Sequence, residues 1–243
     1  MVFQVPGHIL NLGKRMKISG INASPKGKES KTLELVESVL RGSESMGADT
    51  EYLDLYQYTI QYCTACGTCY AKGECTLFDD FPALLEKMLD ADGIVLGSPN
   101  YINSVSAPMK AMFDRMADAI HCQMFRKKFG CSVCTAGGSS EDAVVAYMND
   151  VLETLGATVV GGVGVAIGRD PSKMEPAKAE AYELGKKLVK SMRWATYVRL
   201  STWPSTHKYG YLVVSNFCKA CLASISPHCR RSSRDSLGIL GWA

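Results

Sequence analysis

The sequence predicts a doubly wound α/β fold built on a five-stranded parallel sheet. Three observations carry this. Short apolar runs alternate with segments of helical periodicity from residue 16 onward. The run 93–96, Gly-Ile-Val-Leu, has no polar alternation, as a strand covered on both faces requires. The loops after the first, third and fourth strands are small and polar, and ligands bind at that edge of such sheets.

The elements follow in order. Residues 17–22 (KISGIN) form a short strand that runs into a polar loop. Leu33, Val36, Val39 and Leu40 recur at helical spacing across 31–42. Residues 50–55 alternate Tyr52 and Asp54 with apolar neighbours and read as the second strand. The pair Asp79 and Asp80 suits the start of a helix over 79–89, with Leu84, Leu85 and Met88 on one face. The third strand is 93–96, followed by a helix over 106–116. Residues 128–134 form the fourth strand, and 141–155 a helix with Val144, Val145, Met148, Val151 and Leu152 towards the core. A Gly-rich apolar fifth strand, 158–167, precedes a last helix over 176–192.

The domain is therefore expected at 16–193. Residues 1–15 form an N-terminal extension, with Met16 a second candidate start, and 194–243 a C-terminal one. The latter holds all three tryptophans and six basic residues against one acidic, so it carries +5 and leaves the rest at −2.

Composition narrows the classes. With 47% hydrophobic and 21% charged residues over 243 positions, the chain is globular rather than disordered. No eighteen consecutive apolar residues occur, so no membrane helix is expected. A net charge of only +3 argues against a dedicated nucleic-acid binder. The N-terminus lacks the apolar core of a signal peptide, so a cytoplasmic location is expected. In a reducing compartment ten cysteines point to metal binding or redox chemistry before structural disulfides.

In the first loop Ser24, Ser30 and Thr32 offer hydroxyls, and Lys26 and Lys31 offer charge, beside the amides that open a helix. That combination suits a phosphate monoester. An ordinary capped, Ser/Lys-rich loop is the competing reading. Neither a Walker A loop nor a G-x-G-x-x-G fingerprint is present. After the third strand Ser98, Pro99, Asn100, Tyr101, Asn103 and Ser104 combine an extended turn, polar groups and a ring suited to stacking. A polar loop with an incidental aromatic explains the same residues. Thr135, Ala136, Gly137 and Gly138 expose backbone amides after the fourth strand, although Gly-rich turns also occur without ligands.

Cys63, Cys66, Cys69 and Cys75 place four thiols within thirteen residues, with Gly67 and Gly73 allowing tight turns. Three-residue steps wrap one cluster, and zinc sites more often use two separated knuckles, so the spacing favours iron–sulfur. No proline follows Cys75, so the full ferredoxin signature is missing. Zinc, empty thiols and a redox disulfide remain alternatives. Cys131 and Cys134 fall in a buried strand and read as small hydrophobes, and Cys122 as filler. Cys218, Cys221 and Cys229, with His228, read as a metal-free tail, a second metal site being the alternative.

The segments S-P-K-G-x-x-S-x-T, G-S-P-N-Y before M-K-A-M-F-D-R, and T-A-G-G-S-S-E-D resemble the flavodoxin-like NADPH-dependent FMN reductase family over about residues 17–193. Lys110, Asp114 and Arg115 match a recurrent pattern of that family. The compact cysteine motif just before Asp79 and Asp80 is similar to that of its iron-sulfur flavoproteins. The resemblance implies strand order 2-1-3-4-5. It implies FMN, with its phosphate in the first loop and its ribityl and ring lined by the other two. It also implies one [4Fe–4S] cluster on the four cysteines, and a homodimer or homotetramer bringing one subunit's cluster near another's flavin. The expected donor is a ferredoxin-like protein or NAD(P)H, and the acceptor a small molecule such as a quinone, dioxygen or peroxide. No catalytic side chain is expected, because the cofactors carry the chemistry. Two readings compete: an NAD(P)H-dependent FMN or quinone reductase without a cluster, and a zinc-binding interaction module.

Overall fold

A parallel sheet covered on both faces needs small or apolar residues along its central strands, and this chain supplies them. The computed structural model describes residues 15–201, so Cys218, Cys221, Cys229 and His228 lie outside the described residues. Its strands are β1 (Lys17–Asn22), β2 (Asp49–Asp54), β3 (Gly93–Pro99), β4 (Phe129–Ala136) and β5 (Thr158–Ala166). Its helices are α1 (Lys31–Glu44), α2 (Thr68–Lys72), α3 (Phe81–Asp90), α4 (Ala107–Asp114), α5 (Ala117–His121), α6 (Glu141–Thr154) and α7 (Met174–Ser201). The strands pair in parallel in the order β2-β1-β3-β4-β5, as the resemblance implies.

β4 is buried along its whole length and β3 at all but its last residue, whereas edge strand β2 is mostly part-exposed. One face packs Ile18, Val95 and Val133 against Val36 and Val39 of α1 and Leu188 of α7. The other packs Ile21, Ile94 and Leu96 against Leu84 of α3, Met112 of α4 and Met148 of α6. α1 and α7 cross closely at two glycines. A Cβ on Gly42 would stand 2.0 Å from the Tyr182 carbonyl oxygen, and one on Gly185 2.0 Å from that of Val39. Ser43 Oγ donates to the Gly185 carbonyl across this crossing at 3.2 Å. The contact sets the position of α1, and with it the polar loop at its N-terminus.

Several boundaries differ from those read in the sequence. β3 runs to Pro99 and β4 to Ala136, so Ser98, Pro99, Thr135 and Ala136 belong to strands rather than loops. The parallel ladder continues through Ser98↔Cys134 and Pro99↔Thr135, overriding the local Gly and Pro signals. Asp80 precedes α3 without a side-chain cap, and Asp79 Oδ1 instead accepts from the Phe81 amide at 3.1 Å. The short helices α2 and α5 have no periodic signal, and α7 continues beyond 192 to Ser201. No helix among the described residues is long and apolar enough to cross a membrane.

Candidate functional site

β1, β3 and β4 are neighbours, so the loops at their carboxyl ends lie side by side. Hydrogen bonds join them. The Thr32 and Thr135 hydroxyls are 2.6 Å apart in a buried contact. Ser106 donates its hydroxyl to the Ala23 carbonyl at 2.7 Å, and its amide donates to Ser98 Oγ at 2.9 Å. The Asn100 amide donates to the Thr135 carbonyl at 2.8 Å, and Asn100 Nδ2 to the Ser139 carbonyl at 2.6 Å. Most of these groups are buried, so the edge is a bonded frame rather than three independent loops. Ser106 and Ser139 were not among the sequence candidates, because their partners are remote in the chain.

Within the first loop Ser24, Ser30 and Thr32 are buried, and Lys26 is exposed. Ser30 Oγ accepts from the Leu33 amide at 3.0 Å, an N-cap that still leaves its O–H free to turn. Lys31 is drawn away along α1 by Glu34, at 2.8 Å. Of the two cations, Lys26 is therefore the better placed for an anion. In the second loop Tyr101 and Ser104 exchange amide–carbonyl bonds of 2.9 and 3.1 Å. Ile102 and Asn103 between them have φ of 51° and 59°, so Asn103 serves the turn. Tyr101 stands 46% exposed near Tyr56.

Two observations fit a flavin at this edge. Asn100 Oδ1 is buried with no hydrogen-bond partner among the described residues. A Cβ built on Gly137 or Gly138 meets no atom of the described residues within 4 Å, so among them bare backbone faces open space there.

The four-cysteine loop lies between β2 and α3. Its backbone is left-handed at Ala65, Gly67 and Gly73, with φ of 54°, 71° and 75°, and the two glycines bracket α2. Tyr70 of α2 packs edge-on against His121 of α5 at 5.6 Å between ring centroids. Cys63 and Cys66 are exposed, Cys69 and Cys75 half-buried, and all four are free thiols. Hydrogen bonds from Thr68, first its hydroxyl and then its amide, together with Thr76, lower the Cys66 thiol to about 7. Burial, then the Asp118 carboxylate, push Cys69 the other way. Four thiols on a tightly turning backbone fit a thiophilic metal or cluster. Among the described residues no three His, Cys, Asp or Glu side chains lie close enough together to hold a metal ion. Gathering the sulfurs therefore requires the loop to tighten.

The remaining described cysteines are structural. Burial raises Cys131 and Cys134 to about 12, which makes them inert. The half-buried Cys122 donates to Asp118 at 3.6 Å.

What closes the base of the cysteine loop escaped the sequence reading. The Arg115 and Asp79 side chains form an ion pair at 0% and 1% exposure. Arg115 Nη1 and Nη2 donate to the two Asp79 oxygens, and Nη1 also donates to the Gln61 carbonyl at 3.0 Å. The Gln61 amide donates to Asp79 Oδ2 at 2.8 Å, and Gln61 Nε2 to the Phe78 carbonyl at 2.9 Å. Thr59 donates its amide to Asp80 Oδ2 at 2.7 Å and accepts from the Asp80 amide at 3.1 Å. The guanidinium lies 4.8 Å from the Phe81 ring centroid. Burial alone would raise the Asp79 carboxyl, but Arg115 and the Gln61 and Phe81 amides outweigh it and hold it below the ordinary range. The available signal was the Asp pair just after the cysteines and the Asp-Arg closing the helix, yet nothing local pairs Asp79 with Arg115.

Residues 16–172 match the family model described as NADPH-dependent FMN reductase. An iron-sulfur flavoprotein of Archaeoglobus fulgidus is 35% identical over 179 residues, 69% of this chain and 81% of that protein. One of Methanocaldococcus jannaschii is 31% identical over 194 residues, 73% of this chain and 98% of its own. Among solved structures, a flavone reductase superposes with a TM-score of 0.61 at 20% identity, over 75% of this chain and 65% of that one. An NAD(P)H:quinone oxidoreductase from Methanothermobacter marburgensis superposes with a TM-score of 0.59 at 20% identity, over 72% and 98%. An archaeal flavodoxin gives 0.51 at 17%, over 73% and 99%, and at such identities these likenesses concern the fold.

Proposed function

Because the chain belongs to the NADPH-dependent FMN reductase family, among its iron-sulfur flavoproteins, we propose that it links a one-electron donor to a two-electron acceptor through FMN and a [4Fe–4S] cluster. By family it is an FMN-dependent oxidoreductase; the proposal concerns the cluster, its ligands and the electron partners. The observation that carries it is the set of four thiols in one tightly turning loop on the same domain as the bonded sheet edge.

When bound, FMN supplies one- and two-electron chemistry and the cluster one-electron chemistry. The chain's own residues bind and orient. Ser24, Lys26, Ser30 and Thr32, with the first amides of α1, hold the FMN phosphate, and Lys31 adds charge from its pair with Glu34. Ser98, Pro99, Asn100, Tyr101 and Ser104 line one side of the flavin, with Asn103 shaping the turn. Thr135, Ala136, Gly137 and Gly138 line the other, the glycines letting backbone amides approach. Cys63, Cys66, Cys69 and Cys75 are the cluster ligands. The donor is a ferredoxin-like protein or NAD(P)H, and the acceptor a quinone, dioxygen or peroxide. In a homodimer or homotetramer one subunit's cysteine loop approaches another's flavin. Residues 16–193 act as the functional domain, in the cytoplasm.

One observation favours a second reading, an NAD(P)H-dependent FMN or quinone reductase without a cluster: the ungathered sulfurs. Anaerobic purification with absorption spectroscopy and iron, sulfide, zinc and flavin analysis separates the two. Flavin, iron and sulfide together support the cluster; flavin without iron favours the second reading. Zinc without flavin would overturn both. Cys66→Ala should abolish iron binding and leave FMN, and stopped-flow reduction by NADPH or reduced ferredoxin identifies the donor.

A further inference from the structure

The Asp79–Arg115 pair lies at the base of the loop that carries all four candidate ligands. Gln61 stands two residues before Cys63 and Asp79 four residues after Cys75. Arg115 reaches both, through the Gln61 carbonyl and the Asp79 carboxylate. Its side chain is fully buried, yet one donor of the guanidinium, Nε, is buried with no hydrogen-bond partner among the described residues. An orphaned donor in a buried cation is costly, and most such groups are satisfied. Beside Gln61 and Phe81, Cys75 is among the side chains whose charge acts on this guanidinium, after Asp79. Hydrogen bonds to cluster sulfurs shift the reduction potential.

We propose that Arg115, held by Asp79, is a positioning residue for the cysteine loop: it pins both ends of the segment and turns its free N–H towards the sulfur of Cys75. The second half of this rests on the cluster reading above; the first half does not. Asp79 fixes the guanidinium in one orientation, because a bidentate carboxylate permits only that. Phe81 covers its face. The ends of the loop are thus rigid while its left-handed middle remains free to draw the sulfurs together. Lysine keeps the charge but has neither the fork nor the Nε donor.

The test is Arg115→Lys, in full-length protein carrying FMN, read in two ways. In the iron-free protein, amide hydrogen exchange over residues 59–79 should accelerate about tenfold or more, with β4 unchanged. After reconstitution with iron and sulfide, the midpoint of the loaded fraction should move to more negative potential. A merely structural anchor lowers iron content but leaves that midpoint in place, so an unchanged midpoint overturns the role towards Cys75. Unchanged exchange over 59–79 overturns the clamp. If wild-type protein takes up no iron, the cluster reading fails and the role towards Cys75 with it, while hydrogen exchange still decides the clamp. Should Arg115→Lys not fold, Asp79→Asn carries the same test from the other partner, since it keeps the shape of the side chain and removes the carboxylate charge that holds the guanidinium. Faster exchange confined to 59–79 then supports the clamp, and no change refutes it.

Discussion

Replacing Gly42 by alanine should destabilise the protein, although alanine is the better helix former by roughly 1 kcal/mol. The added methyl would stand 2.0 Å from the Tyr182 carbonyl oxygen and 2.9 Å from its carbon. Ordinary contact begins near about 3.5 Å, so α1 and α7 must part by roughly 1.5 Å. The obstacle is helix backbone, which cannot rotate away as a side chain does. Parting loosens Val36 and Val39 against Leu184 and Leu188 and stretches the Ser43–Gly185 hydrogen bond. Overpacking of about 1–3 kcal/mol and about 1 kcal/mol for the bond outweigh the propensity gain. The net loss is on the order of 2 kcal/mol, a fall in Tm of about 4–8 °C for a chain of this size. Because α1 begins at the first polar loop, FMN affinity should fall with it. Circular dichroism melts of the FMN-free protein, with flavin fluorescence titrations, make the measurement. A variant as stable as the parent, or more so, would refute the close crossing.

Three further outcomes follow from the site. A Cβ at Gly137 meets no atom of the described residues within 4 Å, so Gly137→Ala should leave the FMN-free melting temperature unchanged while weakening FMN about tenfold by filling the approach of the backbone; intact flavin affinity in a titration would count against that placement. Asp79→Asn leaves Arg115 buried and uncompensated and should cost about 3–5 kcal/mol in urea unfolding at neutral pH. The folded Asp79 carboxyl lies below its unfolded value, so its contribution is complete above about pH 4 and disappears as pH falls through the folded value; the variant's stability should depend less on pH in that acid window. In metal-free protein Cys66, with its thiol near 7, should alkylate with a half-maximal rate near neutral pH, while Cys131 and Cys134 stay unmodified until unfolding. Peptide mass spectrometry after iodoacetamide checks both, and labelling of the buried pair in folded protein would be the contrary result.

The strands and principal helices were legible because each depends on contiguous residues. The apolar run at 93–96 and the helical spacing of Val36 and Val39 are visible without any partner. The ends of β3 and β4 were not, because their last rungs exist only as pairs with each other. Ser30 and Tyr101 could be picked out by type. That Lys31 turns to Glu34 and that Asn103 forms a turn depended on neighbours and backbone angles. Arg115 matched a pattern in the sequence, but its partner lies 36 residues away.

The sequence by itself determined the alternation of elements, the three polar loops and the clustering of four thiols, all properties of residues near one another along the chain. Only the tertiary structure decided that Thr32 meets Thr135, that Asn100 reaches Ser139, and that Asp79 and Arg115 close the cysteine loop. The reason is one of range. Periodicity records burial averaged over a turn or a strand, whereas hydrogen bonds and ion pairs act across about 3 Å between residues that folding alone brings together.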